Sequence, residues 1–539
     1  MKKRIISIAL TFVMLLAMIP SVSVGAATTA TYDWYDGQTE YVLDSVSDLL
    51  GFANIVNGAD EKTADTFDGK TVTLGDNIDM TGESWTPING FAGTFDGNEK
   101  TISNLTCNDT MIISIGKYSY YHFGFFAFCD GATVKDLTLD TVSVNRETST
   151  VEYIYIGGLA AQIAGNFTAT NVTVNALTVD LNYTGSGIKK ETAIGGIVGC
   201  VASDADAVSL TNCDVTNLNI TVSAKQTTQG MGVGGLVGRS QGDILASYCD
   251  VTGAIKATKS ARWYIGGFCG RSLGTVESYN NCSARINIDG SDSDNSYAKP
   301  AVVGGFVGNE GVTTATYIDC SFVGELSGSF VGGCAGTMSN TPEITLDSCS
   351  FDADVVVKYE GGTGTGAGLF AKTPSLAVMN NVTVTGSVTG DETLLELYPS
   401  ELFTASSTAH VEKGTGYYAQ TRYDEANGLD VRLVNSINTI DGMDKLGYVT
   451  VLKYTNADGE KEIKIMSGDT DKVYTGITAA GIEKTATDLG GQYIYIAEIT
   501  GYKGTSDLTL DVTPYYKSGE TVVYSGTAEY CFDYSGGYK

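Results

Sequence analysis

A short pattern of glycine and apolar residues recurs along most of the chain. The dipeptide Gly-Gly, replaced by Phe-Gly in the first copy and Ala-Gly in the last, precedes apolar residues in eight copies. The mean spacing of the copies is about 35 residues, a period typical of solenoid repeats in which loops absorb differences in length. The copies begin at Phe123, Gly157, Gly195, Gly234, Gly266, Gly304, Gly332 and Ala367.

The positions around the second glycine of each copy alternate as they do in a β-strand. The position two before it is mostly aliphatic, and the position after it is apolar in every copy. Equivalent positions keep their size from copy to copy, which predicts that the copies stack on one another. The position three after the glycine holds only Gly or Ala: Ala127, Ala161, Gly199, Gly238, Gly270, Gly308, Gly336 and Ala371.

Each copy carries a second short strand in which cysteine replaces leucine or valine. Because cysteine substitutes for apolar residues there, we expect a ladder of buried free thiols, with disulfides or a metal site as alternatives. The sequence leaves open whether each copy forms one coil or two. The column holds Leu137, Val172, Cys213, Cys249, Cys282, Cys320, Cys349 and Val382.

Both ends of the repeat region change in pattern. Before it, Ser45 or Ser47 can begin a helix with an apolar stripe, which we expect to cover the open end of the solenoid. From about Tyr417 the strands are longer and alternate cleanly, which is typical of an immunoglobulin-like β-sandwich. The predicted division is a signal peptide at 1–26, a parallel β-helix at 27–400, a cap or linker at 401–416 and a β-sandwich at 417–539.

The first residues predict export from the cell. Lys2, Lys3 and Arg4 precede an apolar run that ends at Ile19, followed by small residues typical of a signal-peptide cleavage site. We therefore expect a secreted protein, extracellular or attached to the cell surface, without a membrane span. The formal net charge of −29 disfavours nucleic acid as a partner.

The repeats resemble the GLUG motif of secreted and surface proteins of bacteria. The segment from Gly234 to Gly253 carries the resemblance, because a Gly-Gly-apolar-apolar-Gly strand precedes a strand with the order Cys-x-Val-x-Gly. The resemblance implies an all-β, right-handed parallel β-helix and an adhesin-like role at the cell surface. It implies no catalytic residues. The C-terminal region is similar to β-sandwich modules of secreted clostridial-type proteins.

The chain offers little material for acid–base or nucleophilic catalysis. Histidine occurs only at His122 and His410, and His122 falls in an apolar column, so we interpret it as structural. No Gly-x-Ser-x-Gly elbow occurs, and no set of Asp, Lys and Arg residues recurs on neighbouring predicted strands. A polysaccharide lyase or glycoside hydrolase remains an alternative, because sequence does not show whether two carboxyl groups converge.

Two groups of residues are candidate binding sites. Aromatic residues near the repeat glycines would offer rings to a glycan or a protein if they are exposed, although covering by neighbouring loops is the alternative. They are Tyr121, Tyr153, Tyr155, Trp263, Tyr264 and Phe330. Closely spaced oxygen ligands at Asp289, Asp292, Asp294 and Asn295 would suit calcium, the one cofactor the sequence suggests. The alternative is a solvated loop between coils, with no cofactor.

The sequence as a whole favours a monomeric, non-catalytic surface protein. We expect adhesin-like binding of a glycan or of an extracellular host or cell-surface protein. The alternatives are a structural spacer that displays the C-terminal module and a carbohydrate-active enzyme on a β-helix.

Overall fold

A computed structural model describes residues 28–390, apart from several short segments, and the strands named below between residues 405 and 532. The segments not described are 108–110, 116–117, 149–152, 185–190, 204, 206, 224–230, 259–262, 293–300, 339–342, 358–364, 372–375 and 381. The predicted signal peptide lies outside the described residues. No helix in the part of the chain described is long and apolar enough to cross a bilayer.

The repeat region forms a parallel β-solenoid of about eight coils, in which each strand pairs with its counterparts in the coils before and after. Two long sheets run along it. Sheet A contains β1 Glu40–Leu43, β2 Thr71–Leu74, β3 Ile78–Asp79, β5 Thr94–Thr106, β9 Thr133–Thr148, β12 Phe167–Asn175, β13 Thr178–Tyr183, β16 Ala207–Ser223, β19 Asp243–Ser247, β20 Asp250–Thr258, β23 Val276–Asn280, β24 Ser283–Asp292, β27 Thr314–Ile318, β28 Ser321–Gly328, β30 Glu343–Asp347, β31 Ser350–Val357, β33 Leu376–Asn380, β34 Thr383–Gly390 and β35 Ala405–Ser406.

Sheet B contains the Gly-Gly segments, and the central coils contribute two strands each, from β7 and β8 to β25 and β26. Its strands in the solenoid are β4 Ile88–Phe91, β6 Met111–Ile115, β7 Tyr118–Phe123, β8 Phe126–Asp130, β10 Tyr153–Gly157, β11 Ala160–Ala164, β14 Thr192–Gly195, β15 Val198–Val201, β17 Met231–Gly234, β18 Val237–Ser240, β21 Trp263–Gly266, β22 Cys269–Ser272, β25 Val302–Gly304, β26 Val307–Glu310, β29 Phe330–Met338 and β32 Thr365–Phe370.

Each sequence repeat forms one coil, which settles a question the sequence left open. Val233 lies opposite Ile265 of the next repeat, and Ile265 lies opposite Val303 of the repeat after it. These aliphatic side chains are buried in one core that runs through the solenoid. Burial of apolar surface between coils is the main source of stability in such a structure.

The column of Gly and Ala is confirmed, and close backbone contact is its cause. A Cβ atom on Gly238 would lie 2.4 Å from the backbone nitrogen of Ile194, and one on Gly270 would lie 2.2 Å from that of Val233. No side chain fits at such distances. The column is therefore small because the backbone of the neighbouring coil occupies the space.

The predicted ladder of free thiols is also confirmed. The ten cysteines in the described part of the chain are all free and buried. Cys213 lies opposite Val172 in the preceding coil, and the Cys249 thiol lies between those of Cys213 and Cys282. Burial and thiol–thiol contacts place these side chains in the core as small apolar groups.

A single helix occurs in the described chain, where the sequence predicts one, between β1 and β2 at the start of the solenoid. Helix α1, Val46–Asn57, begins after Ser45, whose hydroxyl accepts a hydrogen bond from the backbone N–H of Asp48. It ends at Gly58, which has a φ of 62°. The face of α1 that includes Leu49 and Phe52 is buried in the solenoid core.

Strand pairing changes from parallel to antiparallel after the solenoid. Strand β36 pairs with β32 of sheet B in antiparallel fashion, and β38 is central to a separate antiparallel sheet. The predicted immunoglobulin-like sandwich and the predicted domain boundaries stay predictions. The strands are β36 Gly416–Asp424, β37 Gly428–Asn438, β38 Lys445–Asn456, β39 Gly459–Met466, β40 Lys472–Tyr474, β41 Ile477–Gly481, β42 Lys484–Thr485, β43 Gln492–Tyr502, β44 Leu508–Ser518, β45 Thr521–Tyr524 and β46 Ala528–Phe532.

Candidate functional site

In the coils with two sheet B strands, the chain bends sharply at the Gly-Gly pair. The strand before the bend then lies close to the strand after it, as β17 does to β18. A Cβ atom on Gly232 would lie 2.2 Å from the carbonyl oxygen of Gly238, so glycines allow this close approach. In the first coils larger residues occupy the equivalent space. Tyr155, Ala193 and Cys200 form a buried cluster there, separate from the main core.

Partly exposed tyrosines pack on the outer side of this small cluster. Tyr120 and Tyr153 lie opposite each other on β7 and β10, and their rings stack with centroids 4.4 Å apart and an interplanar angle of 18°. Tyr118 meets Tyr153 edge to face, with centroids 5.8 Å apart. We call Tyr118, Tyr120 and Tyr153 the tyrosine patch. Because parallel strands hold the two stacked residues, their rings are fixed in position.

A buried ion pair lies beneath the tyrosine patch. Tyr155 is 4% exposed, and its hydroxyl donates a hydrogen bond of 3.4 Å to Oε1 of Glu191. The same oxygen accepts a hydrogen bond of 2.6 Å from Nη1 of Arg239. Arg239 also donates to Gln241, 3.1 Å away. The ion pair joins two successive coils directly under the tyrosines.

The surroundings of the ion pair perturb several titratable groups. Burial raises the pKa of Glu191, whereas the positive charges of Arg239 and Arg271 act in the opposite direction. Burial also raises the pKa of Tyr155 and raises that of Cys200 to about 12. The phenol and the thiol are therefore neutral near neutral pH, so the site offers hydrogen-bond donors and no activated nucleophile.

In the first repeat, the predicted strand register is wrong by one residue for Tyr121 and His122. His122, expected in the aliphatic column, lies opposite Tyr155, while Tyr121 lies opposite Ile154. The turn that leads to Phe126 is one residue shorter than the turn that leads to Ala160, so alignment on the glycines shifts the strand before it. A shift of one residue moves each side chain to the other face.

The surroundings of His122 agree with a structural role in the register that the structure shows. Its side chain is buried, and its Nε2 lies 2.9 Å from Oε1 of Gln162. Burial lowers the pKa of His122, so the imidazole is neutral near neutral pH.

The predicted aromatic residues do not form one exposed surface. Trp263 lies opposite Met231 in a column that faces the core, and it is 1% exposed, which contradicts an exposed ring. Tyr264 is buried below the guanidinium of Arg271, at 5.3 Å from the ring centroid. Phe330 is partly exposed, two coils beyond Tyr264. Of the predicted ligand-binding residues, only Tyr153 lies in the tyrosine patch.

The position of Tyr121 follows from the shifted register. It is partly exposed and packs against the main core, with the guanidinium of Arg146 at 5.9 Å from its ring centroid. A binding role for Tyr121, as for the other aromatic residues, stays a prediction.

The predicted calcium site lies largely outside the described residues. Asp294, Asn295 and the side chain of Asp292 belong to that part of the chain. Asp289 accepts a hydrogen bond of 2.8 Å from Ser327 and lies 3.5 Å from Nζ of Lys256. Among the residues that the structure describes, no group of three or more His, Cys, Asp or Glu side chains is arranged to hold a metal ion.

Sequence reasoning missed the charged part of the site. It found no set of charged residues on neighbouring strands, yet Arg239 lies opposite Arg271 in the next coil. The signal was present, because Gly-Arg-Ser follows the Gly-Gly pair in both of these repeats. The repeat pattern did not identify Glu191 as a site residue. It lies just before β14, outside the positions that alignment on the glycines compares.

Comparisons with known proteins give no family for this chain. No family model matches it, and no curated protein matches it. Solved structures do match, among them the enzymatically active domain of tailspike protein 4 of bacteriophage CBA120, with 9% identity and a TM-score of 0.22. The match covers 89% of this chain and 66% of that chain. Similarity at this level says nothing about the activity of the present protein.

Proposed function

We propose that this protein is a non-catalytic binding scaffold whose tyrosine patch binds carbohydrate. The observation that carries the proposal is the stacked, partly exposed pair Tyr120 and Tyr153 on adjacent coils. Aromatic rings held on a rigid sheet can pack against the apolar face of a sugar ring, and tyrosine hydroxyls can bond to its hydroxyl groups. Tyr118 extends the patch at one edge.

The buried layer beneath the patch supports binding by holding the rings in place. Tyr155 lies below both stacked rings, with centroids 6.1 Å from Tyr120 and 6.4 Å from Tyr153. The ion pair of Glu191 and Arg239 holds the Tyr155 hydroxyl in turn. A binding surface that is already ordered loses less conformational entropy when its ligand binds.

The three buried glutamates in the described part of the solenoid are unsuited to glycoside hydrolysis. A glycosidase needs two carboxyl groups that flank an accessible bond, about 5 to 9.5 Å apart. Glu191 is buried and paired with Arg239. Glu277 and Glu310 approach each other but have no exposed surface, so a polysaccharide does not reach them.

The test is a glycan array with wild-type protein and a Y120A/Y153A double variant. We expect binding by wild type and about a tenfold loss in the variant. Two ring contacts of roughly 0.5–1.5 kcal/mol each are removed, and about 1.4 kcal/mol corresponds to a factor of ten in affinity. Tyr248→Ala is the control, since Tyr248 is 59% exposed and directly follows β19 of sheet A, whereas the tyrosine patch lies on sheet B. Circular dichroism would check that each variant is folded.

Each other result of this assay has a clear meaning. Equal loss in Y248A would show that binding does not depend on the tyrosine patch. No binding by wild type would favour the structural spacer. Oligosaccharides released from a bound polysaccharide would establish a carbohydrate-active enzyme in place of a scaffold.

The scaffold proposal includes the finer architecture that the sequence predicts. We infer that the solenoid is right-handed, that α1 covers its first coil against edge pairing, and that residues 417–539 fold as a β-sandwich. The protein would act as a monomer outside the cell, free or attached to the cell surface. The resemblance to GLUG-motif proteins and the acidic composition support this location.

A further inference from the structure

Two glutamate side chains meet inside the solenoid core, away from the candidate binding site. Glu277 on β23 and Glu310 at the end of β26 both have no exposed surface. The Tyr279 hydroxyl donates a hydrogen bond of 2.8 Å to Oε1 of Glu277, and the Tyr317 hydroxyl donates one of 2.8 Å to Oε2 of Glu310. The two tyrosine rings stack, with centroids 5.3 Å apart and an interplanar angle of 3°.

The other two carboxyl oxygens have no donor unless one glutamate is protonated. Oε2 of Glu277 and Oε1 of Glu310 lack a hydrogen-bond partner when both groups are treated as carboxylates. The two side chains are nevertheless within hydrogen-bonding contact of each other. In the part of the chain described, neither glutamate forms an ion pair. Two buried, uncompensated negative charges in contact would be prohibitively costly.

Among the described residues, the side chains that act most strongly on the pair carry no positive charge. The titratable side chains that face it are Tyr279, Tyr317, Cys269 and Cys334, together with the hydroxyl of Ser272. Burial raises the pKa of both thiols and both phenols, so all four are neutral near neutral pH. A shared proton is therefore the compensation that these surroundings allow.

We propose that Glu277 and Glu310 share one proton, with Glu277 as the acid and Glu310 as the carboxylate, and that loss of this proton makes the central coils sensitive to alkali. The backbone N–H groups of Gly311 and Val312 also donate to Glu310, which favours the negative charge there. Glu277 faces the Tyr279 hydroxyl, the Ser272 hydroxyl and the Cys269 thiol. Backbone N–H groups are fixed in direction, whereas hydroxyl and thiol hydrogens can rotate to another acceptor, so the negative charge is favoured on Glu310.

The sign of the pH effect follows from the direction of the pKa shift. Burial, followed by the negative charge of Glu310, raises the pKa of Glu277 well above its usual value of 4.5. The folded state then holds a proton that the unfolded chain releases above about pH 5. The stability that the protonated pair contributes is fully present below the pKa of Glu277 in the unfolded chain. It is lost as pH rises towards the pKa of Glu277 in the folded protein. In that window the pair lowers the equilibrium constant for folding about tenfold for each pH unit.

The test compares unfolding of three variants by denaturant across mildly acidic to mildly alkaline pH. Glu277→Gln replaces the acid by an uncharged donor of the same shape, so we expect it to fold with a weaker pH dependence than wild type. Glu310→Gln removes the charge that three donors face, so we expect a lower midpoint at every pH. Glu325→Gln is the control, because Glu325 is exposed on β28. It should reproduce the wild-type pH profile.

Infrared spectroscopy of protein labelled with carbon-13 glutamate keeps the proposal testable if a variant does not fold. Wild type should show the band of a protonated carboxylic acid near neutral pH, where exposed carboxyl groups are ionised. The band should be absent from E277Q and present in E325Q. Absence of the band from wild type, or a pH profile of E277Q identical to that of wild type, would overturn the proposal.

Discussion

The guanidinium of Arg239 and the carboxylate of Glu191 form a hydrogen-bonded ion pair of 2.6 Å, with both side chains almost fully buried. The pair joins two successive coils of the solenoid under Tyr155. Removal of two ions from water is costly, so such a pair stabilises the fold only while both partners are present. It therefore couples the packing of the tyrosine patch to the packing of the neighbouring coil.

The first prediction concerns Arg239→Met, which leaves the Glu191 carboxylate buried without its partner. We expect the free energy of unfolding to fall by about 3–5 kcal/mol, as for other broken buried pairs. Denaturant unfolding followed by tyrosine fluorescence would measure it. Arg285→Met is the control, because Arg285 is exposed and its replacement should cost less than about 0.5 kcal/mol.

A double-mutant cycle would separate the ion pair from simple loss of packing. E191Q/R239M removes both the carboxylate and the guanidinium, so no unpaired charge stays buried. The double variant should therefore be more stable than R239M alone. Additive losses in the two single variants would contradict a direct interaction between Glu191 and Arg239.

The second prediction concerns the small column of sheet B. Gly238→Ala would place a Cβ atom 2.4 Å from the backbone nitrogen of Ile194, so the two strands must separate. We expect a loss of at least about 3 kcal/mol, the upper end for overpacking, because no flexible side chain can move aside. Unfolding by denaturant would measure the change.

Gly131→Ala is a matched control with conformational strain but no steric contact. Gly131 has a φ of 71°, and a Cβ atom there would meet nothing within 4 Å. We expect it to cost about 1–2 kcal/mol, the penalty for a left-handed residue with a side chain. Equal losses for the two variants would argue against backbone contact as the reason for the glycine column.

The third prediction concerns the reactivity of the cysteine ladder. Contacts with neighbouring thiols, followed by burial, raise the pKa of the Cys249 and Cys320 thiols, and both side chains are buried in the ladder. Because the thiolate is the reactive species, alkylation in the folded protein should be at least about a hundredfold slower than in denaturant. Mass spectrometry of the modified peptides would report each cysteine separately. Rapid labelling of Cys249 or Cys320 in the folded protein would contradict a sealed ladder.

The sequence predicts the solenoid well because its repeats encode the stacking directly. The Gly238 column holds only Gly or Ala, and the Cys213 column holds only Leu, Val or Cys. Contact with the same position in the next coil explains both restrictions. The candidate site is predicted less well, because it depends on the exceptions to the repeat. The turn before Phe126 is one residue shorter than in the next coil, so Tyr121 and His122 each lie on the face opposite to the predicted one. Alignment of the repeats on their glycines does not reveal this difference.

The repeat pattern also does not predict which aromatic side chains are exposed. Tyr153 and Tyr155 are two residues apart on one face of β10, yet one is partly exposed and the other is covered. The difference arises from residues distant in sequence: Tyr155 packs against Ala193 and Cys200, and its hydroxyl bonds to Glu191. Burial set by long-range contacts does not appear in a local pattern.

The last prediction concerns the start of helix α1. Ser45 accepts a hydrogen bond of 3.2 Å from the backbone N–H of Asp48 and donates one of 2.7 Å to the Asp48 carboxylate. Ser45→Ala removes both interactions and should lower the free energy of unfolding by about 0.5–2 kcal/mol. Ser47→Ala is the matched control, because Ser47 lies within the first turn of α1 and alanine is favourable there.

Hydrogen exchange would show whether α1 protects the first coil. If the helix covers the open end, S45A should increase exchange in β1 and β2 along with α1, while S47A should leave all three unchanged. Faster exchange confined to α1 would mean that the helix frays without exposing the strands, and the proposed covering role would then be wrong.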